Sequence, residues 1–272
     1  MKDKVIIGIF IHKENPTDFE LISFKQCFDI LGNHPIKVFA PARLPLHAYR
    51  KIIPDFTIEF LNKKWQSNLI KYNKLKLSRY LYKRIKSYEY FLTYELDAFV
   101  FKDELLYWCN KGYDYIGAPW FQGFADPIEP LEFKGVGNSG FSLRKISSMN
   151  YLILNACYGN IRPIGRLIRF RKFFIDPLIK AKCIFFENSM IQNAEKITED
   201  IFIYNSAKKI KPDFIFAPVS EALKFSFEVR PQYLYEMNGH QLPFGCHAWP
   251  RYDLAFWKPH IERYGYKIKS TP

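Results

Sequence analysis

The sequence predicts an α/β fold, a Rossmann-like sheet that is mixed but mostly parallel and flanked by helices. Three observations carry this expectation. Val5-Ile6-Ile7-Gly8-Ile9-Phe10-Ile11 is a short, continuous apolar run of the kind that parallel strands buried on both faces require. Ile36-Lys37-Val38-Phe39-Ala40 is a second run, stopped by Pro41, with a helical pattern between the two. Strand, helix, strand in that order is a βαβ start. The 272 residues are 48% hydrophobic and 25% charged, enough apolar material for a real core. No long repeat, low-complexity segment or linker divides the chain, so one domain is expected over 1–272, its first hundred residues forming one half and 101–272 the other.

In order, the first strand ends in the polar turn His12-Lys13-Glu14-Asn15-Pro16. Ligands of open α/β sheets gather at the carboxyl ends of strands, so His12 and Lys13 stand where a phosphate or base could bind, although a solvated turn explains them too. A helix follows from Thr17 to Leu31, with Thr17 as its cap and Leu21, Phe24, Phe28 and Leu31 at helical spacing. Phe56-Thr57-Ile58-Glu59-Phe60 is a weaker third strand, and 67–87 has the spacing of one helix with basic residues between its apolar positions.

Tyr90 to Phe101 is an aromatic-rich strand pattern carrying Glu95 and Asp97 one residue apart. In an extended chain both would point to the same face, opposite Leu92, Tyr94 and Leu96. They are either hydrated acids at a strand end or a metal or ligand site, because unpaired buried charge is costly. A short helix over 103–108 and a strand over 113–120 ending in Pro119-Trp120 come next, then a loop over 121–133. Residues 135–144 hold three glycines within six positions, which asks for unusual backbone angles or a close approach to the main chain. They match neither the Walker loop nor the dinucleotide fingerprint. Glu199 and Asp200 sit where acids favour a helix start. Phe225-Ser226-Phe227-Glu228 is a short strand, and Pro243 to Trp249 a loop bearing His247.

The net charge is +13 and the pI near 9.4, a surface that attracts phosphates. The stretch 162–182 is basic, aromatic and amphipathic, fitting an anionic membrane surface or a helix with a basic exposed face. The five cysteines are scattered without a C-x-x-C pair, which argues against a disulfide scaffold or zinc knuckle and suits a reducing compartment. The N-terminal apolar run is too short to span a membrane and lacks a signal-peptide pattern, so a cytoplasmic location is expected.

Five blocks together are more specific than any one of them: Tyr94 to Phe101, Tyr113 to Trp120, Gly137 to Arg144, Glu199-Asp200-Ile201-Phe202 and Pro243 to His247. In this order they resemble a bacterial family of glycosyltransferases long classed only as a domain of unknown function, of the GT-A type. Two positions depart from its pattern. Ser139 stands where the family has the first glycine of Asn-Gly-Gly, and Thr198 where it has Asn before Glu-Asp.

The resemblance implies a GT-A-like domain that moves a sugar, such as galactose or galactofuranose, from a UDP-sugar to a surface polysaccharide or lipid-linked glycan with inversion. It implies Asp97 and His247 as metal ligands, with Glu95 binding the metal through water or holding the donor ribose. Such a carboxylate and imidazole set suits Mn²⁺ better than Mg²⁺. It further implies Asp200 as general base and Glu199 as an acceptor contact. His12, Tyr72 and Asn73 become candidates for the nucleotide end, and Trp120, Asn138, Ser139 and Gly140 for the acceptor. A non-catalytic glycan- or nucleotide-binding module on the same fold is the alternative. A nucleic-acid binder would rest on charge and aromatics alone, without any recognition module.

Overall fold

The computed structural model describes residues 3–156 and 198–269. The basic stretch 162–182, with Cys157 and Cys183, lies outside the described residues. Its framework is a six-stranded sheet in the order β3-β2-β1-β4-β9-β6. The first four strands are β1 (Asp3–Phe10), β2 (Ile36–Pro41), β3 (Ile58–Leu61) and β4 (Tyr88–Tyr94), all mutually parallel. Beside β4 run β9 (Phe141–Lys145), antiparallel to it, and β6 (Tyr115–Ile116).

The expected two-sided burial is present residue by residue. Val5, Ile7, Ile9 and Ile11 enter one core with Tyr90, Leu92 and Tyr94, while Ile6, Phe10 and Phe91 enter another. Period-two alternation with both faces apolar gives the run its continuous look. Helix α1 (Asp18–Leu31) covers the first face and begins in a full capping box, in which Thr17 and Glu20 satisfy each other's backbone N–H groups. The second face is covered by α3 (Leu69–Lys76), α4 (Arg79–Arg84), α6 (Ile146–Asn155) and α7 (Glu199–Ile210). Two short helices, α2 (His47–Ile52) and α5 (Leu105–Asn110), follow β2 and β5 (Phe99–Val100) in the chain.

Two small sheets flank the main one. In the first, β5 (Phe99–Val100), β10 (Ser226–Phe227) and β11 (Gly245–Cys246) join in the order β10-β11-β5. In the second, β7 (Ala118–Phe121) pairs antiparallel with β8 (Phe133–Gly137).

Four expectations are corrected. The single helix over 67–87 is two, because the Ser78 side chain accepts the Leu81 N–H and caps a new helix after Lys76. The strand through Glu95 and Asp97 stops at Tyr94, and the chain turns with Ala98 N donating to Glu95 O at 3.0 Å before β5 starts. The strand over 113–120 is divided between two sheets at Gly117, where an added Cβ would fall 1.7 Å from the Gly137 carbonyl oxygen. The glycine-rich stretch is mostly strand, with a tight turn only at 138–140.

Among the described residues no helix is long and apolar enough to cross a membrane. Their three cysteines, Cys27, Cys109 and Cys246, are free and buried.

Gly8 shows how tight the centre is, since a Cβ there would lie 2.4 Å from the Phe91 ring and 3.0 Å from that of Phe39. Gly8→Ala should therefore destabilise the fold by about 1–3 kcal/mol through overpacking. Urea unfolding measures this, and an unchanged midpoint would show that the rings have room to yield.

Candidate active site

The sheet has a switch point. After β1 the chain moves outward through β2 and β3, then returns to place β4 on the other side of β1. The crevice outside the carboxyl ends of two such strands is where ligands of open α/β sheets bind. Here it holds a cavity of about 370 Å³ lined by Phe10, His12, Ser67, Tyr72, Glu95 and Asp97 among others. His12 and Tyr72 are thus at this cavity as expected.

Asn73 is not among its lining residues. It is buried, and its side-chain oxygen accepts the Glu199 N–H at the start of α7 (3.4 Å), which corrects its assignment to the nucleotide end.

At the cavity edge, Glu95, Asp97 and His247 each offer one ligand atom, and these atoms all lie within 4.8 Å of one another. The small sheet brings them together. Pairing of β11 with β5 and β10 sets His247 directly after Cys246, Glu228 directly after Phe227, and Asp97 just ahead of Phe99. Backbone bonds fix the junction, with His247 N donating to Phe227 O at 3.0 Å and Trp249 N to Asp97 O at 3.2 Å.

The imidazole Nε2 stands 3.2 Å from Asp97 Oδ1 and 3.7 Å from Glu95 Oε2, while Nδ1 is 2.8 Å from Glu228 Oε1. His247 Nε2 and Asp97 Oδ1 are both buried without a hydrogen-bond partner. Three ligand atoms converging at a cavity edge, with a carboxylate behind the imidazole, fit a divalent cation site.

The glycine turn supports this cluster from below. Glu95 N donates to Gly140 O at 2.8 Å, and the imidazole packs so close that a Cβ on Gly140 would fall 2.1 Å from Nε2. Asn138 adopts φ 99 and accepts the Gly140 and Phe141 N–H groups, at 2.8 and 3.1 Å. It is buried and shapes the turn through its side-chain oxygen, while its Nδ2 has no hydrogen-bond partner. Trp120 is also a packing residue. It is 6% exposed, its ring lies against Gly137, and it meets Phe124 and Tyr204 edge-on, which leaves no face for a sugar.

Beneath the turn lies a chain of buried charges that sequence reasoning missed. Lys76, 2% exposed, donates to Glu95 Oε1 at 2.8 Å, contacts the Ser139 hydroxyl and stands 3.5 Å from Glu199 Oε2. Tyr72 OH donates to the same Glu95 oxygen at 2.9 Å. Arg144, fully buried, donates to Glu199 Oε1, to Ser139 O at 3.2 Å and to Ser142 Oγ at 3.1 Å. Glu199 is therefore enclosed between two cations at 0% exposure, and the expectation that it touches an acceptor is corrected.

Asp200, the next residue, is half-buried at the first turn of α7, its Oδ1 accepting from Thr198 Oγ1 at 2.5 Å.

Electrostatics divide these groups. Burial pushes the Glu95 carboxyl up, but Lys76 and then His247 outweigh it and hold it well below the usual carboxylate range. Burial likewise opposes charge on His247, yet Asp97 above all, with Glu228 and Glu95, carries its pKa well above the ordinary value. Burial raises Asp200, Glu199 beside it raises it further, and the carboxyl reaches about 6. The outcome is one ionised ligand, one imidazole that must shed a proton to bind metal, and one carboxyl near neutrality suited to accept a proton.

The sheet order and the site define the GT-A glycosyltransferase class of fold. Solved structures agree at low identity. An active-site mutant of LgtC aligns with TM-score 0.52 and 13% identity, covering 98% of this chain and 97% of that one. The galactosyltransferase LgtC with donor and acceptor sugar analogues aligns with 0.50 and 12%, over the same shares. Mouse xyloside xylosyltransferase 1 in apo form aligns with 0.50 and 11%, covering 90% and 97%.

By sequence, residues 55–247 match the family described as "Protein of unknown function (DUF5672)", and the chain belongs to that family. No curated protein matches it in sequence.

Glu228 gives this site its most direct test. Glu228→Gln leaves the imidazole without its anionic partner and should weaken Mn²⁺ binding roughly 10–100-fold in a calorimetric titration. Affinity should also climb with pH as the imidazole gives up its proton. Wild-type affinity in the variant would mean that Glu228 does not orient His247 for a metal.

Proposed function

We propose that this protein is a metal-dependent glycosyltransferase that moves a sugar from a nucleotide-sugar donor, UDP-linked, to a glycan hydroxyl with inversion. The observation that carries this reading is the convergence of one ligand atom each from Glu95, Asp97 and His247, all within 4.8 Å of one another, at the edge of the switch-point cavity. Glu95, Asp97 and His247 would hold the cation. A divalent ion there supplies Lewis-acid stabilisation for the charge that grows on a leaving nucleoside diphosphate, and Mn²⁺ suits the mixed ligand set.

The chain's own groups do the rest. Tyr72 and His12 line the side of the cavity that a nucleotide would occupy, and the Tyr72 and Lys76 bonds to Glu95 Oε1 leave its second oxygen facing His247. Lys76 and Arg144 clamp Glu199, which fixes the first turn of α7 and so the position of Asp200. The acceptor oxygen attacks the anomeric carbon, the bond from that carbon to the diphosphate oxygen breaks, and the electron pair leaves with the phosphate. The acceptor proton passes to Asp200. In this division the first hundred residues hold the donor and the later ones supply the base and the acceptor side.

Two outcomes are expected. UDP should bind in a Mn²⁺-dependent manner and lose that dependence in Asp97→Ala; a wild-type protein with no UDP affinity in either condition would sink the reading. Asp200→Asn should bind donor normally but transfer sugar at least about a hundredfold more slowly. The wild-type rate should fall as pH drops through about 6, because the base must be ionised to take the proton. Unchanged turnover in the variant would remove Asp200 from this role.

A further inference from the structure

With Trp120 and Asn138 packed away, the acceptor needs another seat. A second cavity, of about 770 Å³, is formed by three segments, 125–127, 229–236 and 251–253. It is about twice the 370 Å³ of the donor-side cavity and falls within the range of roughly 300–1,000 Å³ usual for ligand sites. Two of its walls grow directly out of the cluster. Val229 follows Glu228, the carboxylate that holds His247, and Arg251 to Asp253 follow His247 by a few residues.

The link to the cluster is geometric: Glu228 Oε1 lies 2.8 Å from His247 Nδ1, and the chain enters the cavity wall at the next residue, Val229.

The walls are held in shape against intrinsic preference. Arg230 and Asp253, both lining residues, adopt left-handed backbone with φ 55 and 56, a conformation that non-glycine residues keep only where surroundings impose it.

The lining chemistry names the ligand class. Asp126 and Glu236 are able to accept hydrogen bonds from hydroxyls, Arg251 and Gln232 to donate them, and Tyr233 and Tyr252 to offer aromatic surface to C–H faces. Two arginines stand against three carboxylates, Asp126, Glu236 and Asp253, so no net positive charge selects a phosphate or a sugar acid. We infer that this cavity is the acceptor subsite and that it takes a neutral oligosaccharide of more than one sugar ring. The role as acceptor rests on the glycosyltransferase reading; the binding of a neutral glycan does not.

Saturation-transfer NMR tests the inference on the whole protein with lactose and maltotriose as neutral probes, glucose as the single ring and sialyllactose as the anionic one. A neutral oligosaccharide should bind at least tenfold more tightly than glucose. The double variant Gln232→Ala, Arg251→Ala, which alters two exposed side chains, should lose at least tenfold of that affinity, and Asp126→Ala on the facing wall should weaken it as well.

Equal affinity in the double variant, no neutral oligosaccharide bound, or a preference for sialyllactose would each overturn it. A UDP titration of the wild type with Mn²⁺ separates the two claims. UDP binding without any glycan bound overturns this inference alone. Glycan binding lost in the variants, with no affinity for UDP, upholds the glycan site and overturns the donor reading.

Discussion

The structure depends on how it manages an excess of carboxylate at one end of its sheet. Glu95, Asp97, Glu199, Asp200 and Glu228 converge there, and burying charge without compensation costs several kcal/mol per ion. Two fixed cations, Lys76 and Arg144, balance Glu199 and Glu95 from within the core. His247 is drawn between Asp97, Glu95 and Glu228. What remains is negative charge on the solvent side of the imidazole, where two ligand atoms lack hydrogen-bond partners. The excess has the sign and place that a divalent cation would correct.

The same constraint explains features that look unrelated in the chain. Gly140 lacks a side chain because the imidazole occupies that space, and Gly137 because the Trp120 ring does. Asn138 holds the turn between them so that Ser139 meets Lys76 and its carbonyl meets Thr93 and Arg144. The β10-β11-β5 sheet is only two residues deep, yet it sets Asp97 beside Glu228 and His247, which lie more than a hundred residues further along the chain. Loops on a rigid sheet carry the cluster, and buried ion pairs fix how the loops sit.

Much of this was legible in the sequence because it is local. The continuous apolar runs declared the parallel strands, Thr17 declared the start of α1, and the ordered blocks included Glu95, Asp97 and His247, which the fold brings together. The rest was hidden by the rules of pattern reading. Charge inside an element is ordinarily a solvated face, so Lys76 in a leucine-rich helix and Arg144 in a strand carried no label of burial. Alternation held a trace, since Ser142 and Arg144 share one face of β9 while Phe141 and Leu143 share the other. The turn at Glu95 was invisible because its closing bond comes from Gly140, a tertiary contact. Glu228 was read only as the end of a strand, for its meaning comes from the neighbour that β-pairing supplies. Trp120 and Asn73, chosen as ligand contacts, were claimed by packing and by a helix start.

The central claim is a single cation site shared by Glu95, Asp97 and His247 at the mouth of the switch-point cavity. A crystal structure of the protein with Mn²⁺ and UDP, recorded at the manganese absorption edge, tests it most directly. The account predicts one anomalous peak within ligand distance of Asp97 and His247, with the diphosphate bridged to it and the nucleoside beside Tyr72 and His12. A nucleotide bound elsewhere, or bound there with no manganese among these three side chains, would contradict it.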